Sequence, residues 1–188
     1  MVGEGAALLV RRALAAAGVT LDVARDLRRF LELYDERLLA HTALYAGTRE
    51  MLDALLPLAR LAVLTNKPQH HTERILQGLD IERCFQWVVG GDTPHGRKPD
   101  PAGLRYVMSS AGATADETRL IGDSAIDLRT ARAAGVRCCL ARYGFGFPSA
   151  EPLLTPEDRV IDHPKQLLAA VSPDVTARTT RGGTKPTT

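Results

Sequence analysis

Leu120-Ile121-Gly122-Asp123-Ser124-Ala125-Ile126-Asp127 is the stretch whose reading decides the fold. A short apolar strand runs into a glycine and then presents two carboxylates four residues apart, about one helical turn. With a helix starting just after Ser124, Asp123 and Asp127 both face the mouth of a sheet. In open α/β folds that edge, outside the carboxyl ends of the strands, is where ligands bind. A Mg²⁺ ion needs one or two carboxylates there, with phosphate oxygens and waters completing its octahedron. The plainer alternative is that both aspartates cap and solvate a helix start.

On either side of this stretch, strand and helix patterns alternate. Leu61-Ala62-Val63-Leu64 is an apolar run expected as a parallel strand buried on both faces. A helix over 69–78 and a strand over 87–89 follow. Asp100 with Pro101 opens a helix that ends near Gly112. Strand 118–121, helix 127–134 stopped by Gly135, strand 137–141, a short strand near Val160-Ile161 and a helix over 164–171 complete the series. The alternation implies right-handed βαβ crossovers and a mostly parallel, Rossmann-like α/β sheet.

Two helices come before any strand. Residues 6–17 are closed by Gly18. Residues 22–41 carry Val23, Leu27, Phe30, Leu31, Tyr34, Leu38 and Leu39 at helical spacing. Residues 1–44 therefore read as a small helical module, and 45–171 as the α/β core, with a helix opened by Thr48 leading into its first strand. Residues 172–188, rich in Thr, Arg, Gly and Pro, read as a disordered tail.

Composition excludes several partners. A chain of 188 residues, 45% hydrophobic and 24% charged, is ordinary for a soluble domain. A net charge of +2 marks neither nucleic acid nor an acidic membrane as a partner. No apolar run reaches membrane-span length, and no signal-peptide pattern follows Met1. The three cysteines lack zinc-like spacing, which fits a reducing cytoplasm. Cys138 and Cys139, neighbours on a strand, face opposite ways and read as packing.

Two more strand ends carry polar residues. Thr65-Asn66-Lys67-Pro68 follows the first apolar run. A hydroxyl beside backbone N–H groups at a helix N-terminus makes a phosphate cradle, although Thr65 capping the next helix explains it as simply. In Gly96-Arg97-Lys98-Pro99-Asp100-Pro101 two prolines follow Lys98 and fix the backbone around it. An ammonium fixed in this way can neutralise both a carboxylate nucleophile and phosphoryl oxygens.

The order Thr65-Asn66, then Lys98, then Gly122-Asp123-x-x-x-Asp127 resembles the second to fourth motifs of the haloacid dehalogenase superfamily. Arg129-Thr130-Ala131-Arg132-Ala133-Ala134-Gly135 and Tyr143-Gly144 match as well. Val63 to Pro68, with Arg97 to Pro101, looks most like the phosphoglycolate phosphatase branch. Val2-Gly3-Glu4-Gly5-Ala6 through Tyr45-Ala46-Gly47 is similar to the closing half of that branch's helical cap. The resemblance implies a Mg²⁺-dependent phosphomonoesterase. Thr65 and the Asn66 backbone would hold the phosphoryl group, Lys98 would balance charge, Asp123 would ligate Mg²⁺, and Asp127 would orient the lysine or metal waters. Family members attack phosphate with an aspartate and pass through an aspartyl-phosphate that water hydrolyses.

The family's first motif, a strand ending in Asp-x-Asp-Gly-Thr, has no counterpart here. No aspartate in the chain has another two positions on; the nearest mimic is Asp80-Ile81-Glu82. In the family that strand lies centrally, between those ending at Thr65 and Gly122. Omitting about five buried apolar residues forfeits roughly 10 kcal/mol and leaves apolar strand edges open. The expectation is therefore a recorded sequence that starts late, at an internal methionine. The competing expectation is a catalytically silent protein that keeps the phosphate cradle without the nucleophile. A receiver domain is rejected because its acidic pair comes first in sequence and its lysine last. The expected partner is a small phosphorylated substrate, on phosphoglycolate, sugar or amino-sugar lines, bound by a monomer or homodimer. His70-His71 reads as a solvated pair at a helix start, and His95 as a loop histidine without contact to substrate.

Overall fold

From Ala62 onward strands and helices alternate in the structure, a computed structural model that describes residues 6–18 and 23–170. The tail over 172–188 and the opening Val2 to Gly5 lie outside those residues. Helices α1 (Ala6–Ala16) and α2 (Val23–Glu36) pack on each other. The apolar spacing predicts α2 running on to 41, but residues 37–41 form turns instead. Helix α3 (Thr48–Leu55) leads into β1 (Ala62–Leu64), and α4 (Gln69–Gly78) crosses over to β2 (Trp87–Val89). The two strands are parallel, with Ala62 opposite Trp87 and Leu64 opposite Val89.

The second half repeats the device. Helix α5 (Ala102–Ala111) precedes β3 (Arg119–Gly122), α6 (Ala125–Ala134) joins it to β4 (Arg137–Ala141), and α7 (Phe147–Ala150) lies before β5 (Arg159–Ile161). These three strands form a parallel sheet in the order β3-β4-β5. A helix over 166–170 closes the described chain. The parallel strands form two hydrogen-bonded pieces, β1-β2 and β3-β4-β5. Among the described residues, no strand pairs with β3 on its side away from β4.

One apolar layer ties the pieces together. Leu104, Leu120, Leu128, Leu140 and Phe147 form the principal core, and Leu64 at the tip of β1 packs against it. Cys138 belongs to this core, whereas Cys139 joins Leu55, Ile161 and Leu167 on the other face. The alternation of a strand separates the neighbours. Burial pushes the thiols up to about 12 and about 11 respectively, so neither is a thiolate at neutral pH. Among the described residues, no helix is long and apolar enough to cross a membrane.

Candidate functional site

The carboxyl ends of β1 and β3 open onto one cavity of about 280 Å³. Thr65, Asn66, Lys98, Asp123 and Asp127 all line it. Residues 58 positions apart in sequence, from Thr65 to Asp123, therefore meet because parallel strands end at the same edge of the fold.

The turn after β1 carries the hydroxyl. Thr65 N–H continues the ladder by donating to Val89 O at 3.0 Å. Thr65 Oγ1 accepts the Lys67 N–H at 3.1 Å, which leaves the hydroxyl hydrogen to donate. Asn66 is buried, and its amide donates to Lys98 O at 2.8 Å, tying this turn to the loop that carries the lysine. The sequence suggests a cradle of N–H groups at the start of α4, or else Thr65 as its cap. Neither forms. The Gln69 N–H donates instead to Asp92 Oδ1 at 2.7 Å, so a carboxylate from beyond β2 already occupies that helix start.

The lysine and the second aspartate form the centre. Lys98 Nζ lies 2.6 Å from Asp127 Oδ1, with both side chains largely withdrawn from solvent. The other oxygen, Oδ2, accepts from Ser124 Oγ at 2.6 Å, Ser124 N at 3.0 Å and Asp123 N at 3.2 Å. Asp127 N in turn donates to Ser124 Oγ, closing a capping box at the start of α6. One carboxylate thus both caps α6 and pairs with Lys98. Burial tends to raise the Asp127 carboxyl. The adjacent Lys98 charge, its hydrogen bond and those from Ser124 and the Asp123 backbone outweigh burial and hold it below its ordinary value. Helix α6 begins at Ala125, two residues earlier than 127, because Ser124 supplies the cap; the Ser-x-x-Asp spacing was the signal for it.

Asp123 is the acidic group left for a cation. Its Oδ2 accepts the Gly146 N–H at 2.8 Å. The loop after β4 comes so close that a Cβ on Gly144 would lie 2.2 Å from Asp123 Cβ. Asp127 has both oxygens committed. Among the described residues no group of three or more His, Cys, Asp or Glu is arranged to hold a metal. One available carboxylate fits Mg²⁺, which retains waters and substrate oxygens, better than a metal needing a full protein cage.

Helices α1 and α2 form the opposite wall with Leu9, Phe30, Leu31 and Tyr34. Tyr34 OH bonds the Lys67 ammonium, which also lies 4.7 Å from the centre of the Tyr34 ring. His71 is buried against Tyr34 and Asp35 rather than solvated. Burial lowers its pKa below the ordinary 6.5 against the pull of Asp35. His95 stacks on Tyr106, with ring centres 3.5 Å apart, and does not line this cavity.

A family model for haloacid dehalogenase-like hydrolases matches residues 8–141. A phosphoglycolate phosphatase of Rhodospirillum rubrum is 45% identical over 161 residues, covering 81% of this chain and 66% of the relative. One from Pseudomonas syringae pv. tomato is 42% identical, covering 80% and 58%. The chain therefore spans about 58–66% of the length of these curated relatives. The crystal structure of a predicted phosphoglycolate phosphatase from Haemophilus somnus superposes with a TM-score of 0.83 at 29% identity, covering 90% of this chain and 79% of that one.

Proposed function

Because the chain belongs to the haloacid dehalogenase-like hydrolase family, we propose that it carries the phosphate-binding part of a Mg²⁺-dependent phosphomonoesterase acting on 2-phosphoglycolate. One observation carries this reading: a hydroxyl, an ammonium and a carboxylate from three separate βα junctions line a single small cavity. The relatives' names supply the substrate, and the cavity volume suits a small ester.

In this reading residues 1–44 are a cap over the core of 45–171. Thr65 donates its hydroxyl hydrogen to a phosphoryl oxygen, with the Asn66 backbone beside it. Lys98, positioned by Asp127, offsets the negative charge that the phosphoryl oxygens and an attacking carboxylate bring together. Asp123 would hold Mg²⁺, which would supply positive charge beside the phosphoryl oxygens. Hydrolysis then has two steps. A carboxylate oxygen bonds to phosphorus as the ester P–O bond breaks and the glycolate oxygen takes a proton; water next releases phosphate from the acyl phosphate.

The attacking carboxylate is not Asp127, whose oxygens are fully engaged. An Asp-x-Asp strand seated beside β1 and β3 would supply it. The protein acts in the cytoplasm, as a monomer or homodimer. A second reading, a phosphate-binding protein without turnover, is favoured by the lack of any Asp-x-Asp pair in the 188 residues. Calorimetric titration with inorganic phosphate, with and without Mg²⁺, tests the part both share; no binding in either condition overturns both. In-frame genomic sequence upstream of the first codon then separates them: Asp-x-Asp-Gly-Thr supports the enzyme, and an immediate stop codon supports the silent protein. Assay of the native-length protein against a panel of phosphate esters tests the substrate.

A further inference from the structure

Lys67 is not used by the phosphoryl site, yet it lines the same cavity. It lies two residues past Thr65, so the two Cα atoms are at most about 7 Å apart. Its ammonium bonds the phenol of Tyr34, a neutral acceptor. Among the described residues no carboxylate forms an ion pair with it. Lys98, by contrast, is already balanced by Asp127. The cavity thus holds one ammonium whose charge no neighbouring carboxylate offsets, and an ammonium has three donors, of which Tyr34 takes one.

A second observation points to a polar ligand at the same wall. His71 is 8% exposed and lines the cavity, and its Nδ1 is buried without a hydrogen-bond partner among the described residues. Buried polar atoms ordinarily have partners. The surrounding surface from Leu9, Phe30, Leu31 and Ile126 is apolar. It offers nothing to the several hydroxyls of a sugar, and by excluding water it strengthens a charge pair.

We propose that Lys67, braced by Tyr34 of α2, binds the carboxylate of a phosphate ester whose phosphoryl group rests on Thr65 and Lys98. The site then measures two negative ends a few bonds apart, with the phosphoryl end on the strand junctions and the carboxylate end on the α2 wall. Specificity arises because an ester lacking the second anion leaves the Lys67 ammonium without a counter-charge. This deepens the phosphoglycolate reading and rests on its phosphoryl site.

Calorimetric titration with three probes tests it: inorganic phosphate, ethyl phosphate and 2-phosphoglycolate, each with Mg²⁺. The wild-type chain binds 2-phosphoglycolate at least about tenfold tighter than ethyl phosphate, the scale of one charge-assisted contact. Lys67→Met removes that preference, and Lys67→Glu reverses it, so that ethyl phosphate binds more tightly. Far-ultraviolet circular dichroism confirms that each variant is folded, and either one alone suffices for the ratio. Equal affinities in the wild type, or a preference that survives both substitutions, overturns the role of Lys67 while leaving the phosphoryl site standing. Failure of all three probes to bind removes the phosphoryl site and this inference with it.

Discussion

Asp127 performs two tasks with two oxygens, and the consequences differ for each. Oδ1 pairs with Lys98, and Oδ2 collects the Ser124 hydroxyl and two backbone N–H groups. Removing one member of a buried pair leaves the other charge without compensation, which costs about 3–5 kcal/mol. Asp127→Ala therefore lowers the unfolding free energy in urea by about 3 kcal/mol, and it weakens phosphate binding because Lys98 loses its anchor. The pH dependence follows from the lowered carboxyl. Its contribution is complete above the unfolded aspartate value, near 4, and is lost as pH falls through the folded value. Lys98→Met removes the charge that most opposes burial there, so its acid unfolding midpoint lies at higher pH than that of the wild type. Unchanged acid midpoints, measured by circular dichroism, would contradict this account of the pair.

At the scale of elements, the junctions explain why small residues stand where they do. A Cβ on Gly122 would lie 2.3 Å from Asp127 Cγ, because the first turn of α6 folds back over the end of β3. Gly122→Ala must displace the Lys98–Asp127 pair and costs about 1–3 kcal/mol as overpacking. The expected result is a lower urea midpoint together with weaker phosphate binding. The contact of α2 with α4 responds to pH in its own way. His71 is held below its ordinary value by burial, so between the folded value and 6.5 the unfolded chain binds more protons and stability rises with pH. His71→Phe flattens the rise of melting temperature with pH just below 6.5; an identical slope in the variant would remove His71 as its source. The strand ends and their polar residues were legible because apolar runs, Gly122 and Asp100-Pro101 are local signals. The Asp92 cap on α4 and the Tyr34–Lys67 bond were not. They join residues 23 and 33 apart, and no periodicity reports which distant side chain reaches a given helix end. The helix forecast to 41 failed for the same reason in reverse: Leu38 and Leu39 keep the apolar spacing, but Leu38 is buried within a turn.

For the whole molecule, the two sheets raise the question of what makes the site catalytic. β3 has an open edge among the described residues, and apolar Ile121 on it is 39% exposed. The chain order of the motifs made the superfamily legible before any geometry. The cavity brings Thr65 and Lys98 together without drawing on a nucleophile from these residues. A strand carrying Asp-x-Asp between β1 and β3 would bury Ile121, complete the ladder and bring a free carboxylate to Thr65 and Lys98. Under the enzyme reading, the protein from its native source hydrolyses 2-phosphoglycolate. In that protein, Lys98→Ala lowers turnover by at least about a hundredfold, the scale of losing one charge-stabilising group at a phosphoryl site. Asp123→Asn there raises the Mg²⁺ concentration needed for half-maximal rate. Near-normal turnover without Lys98 would mean that the phosphoryl charge is balanced elsewhere, and the convergence of βα junctions would then describe a binding cradle and not a catalytic one.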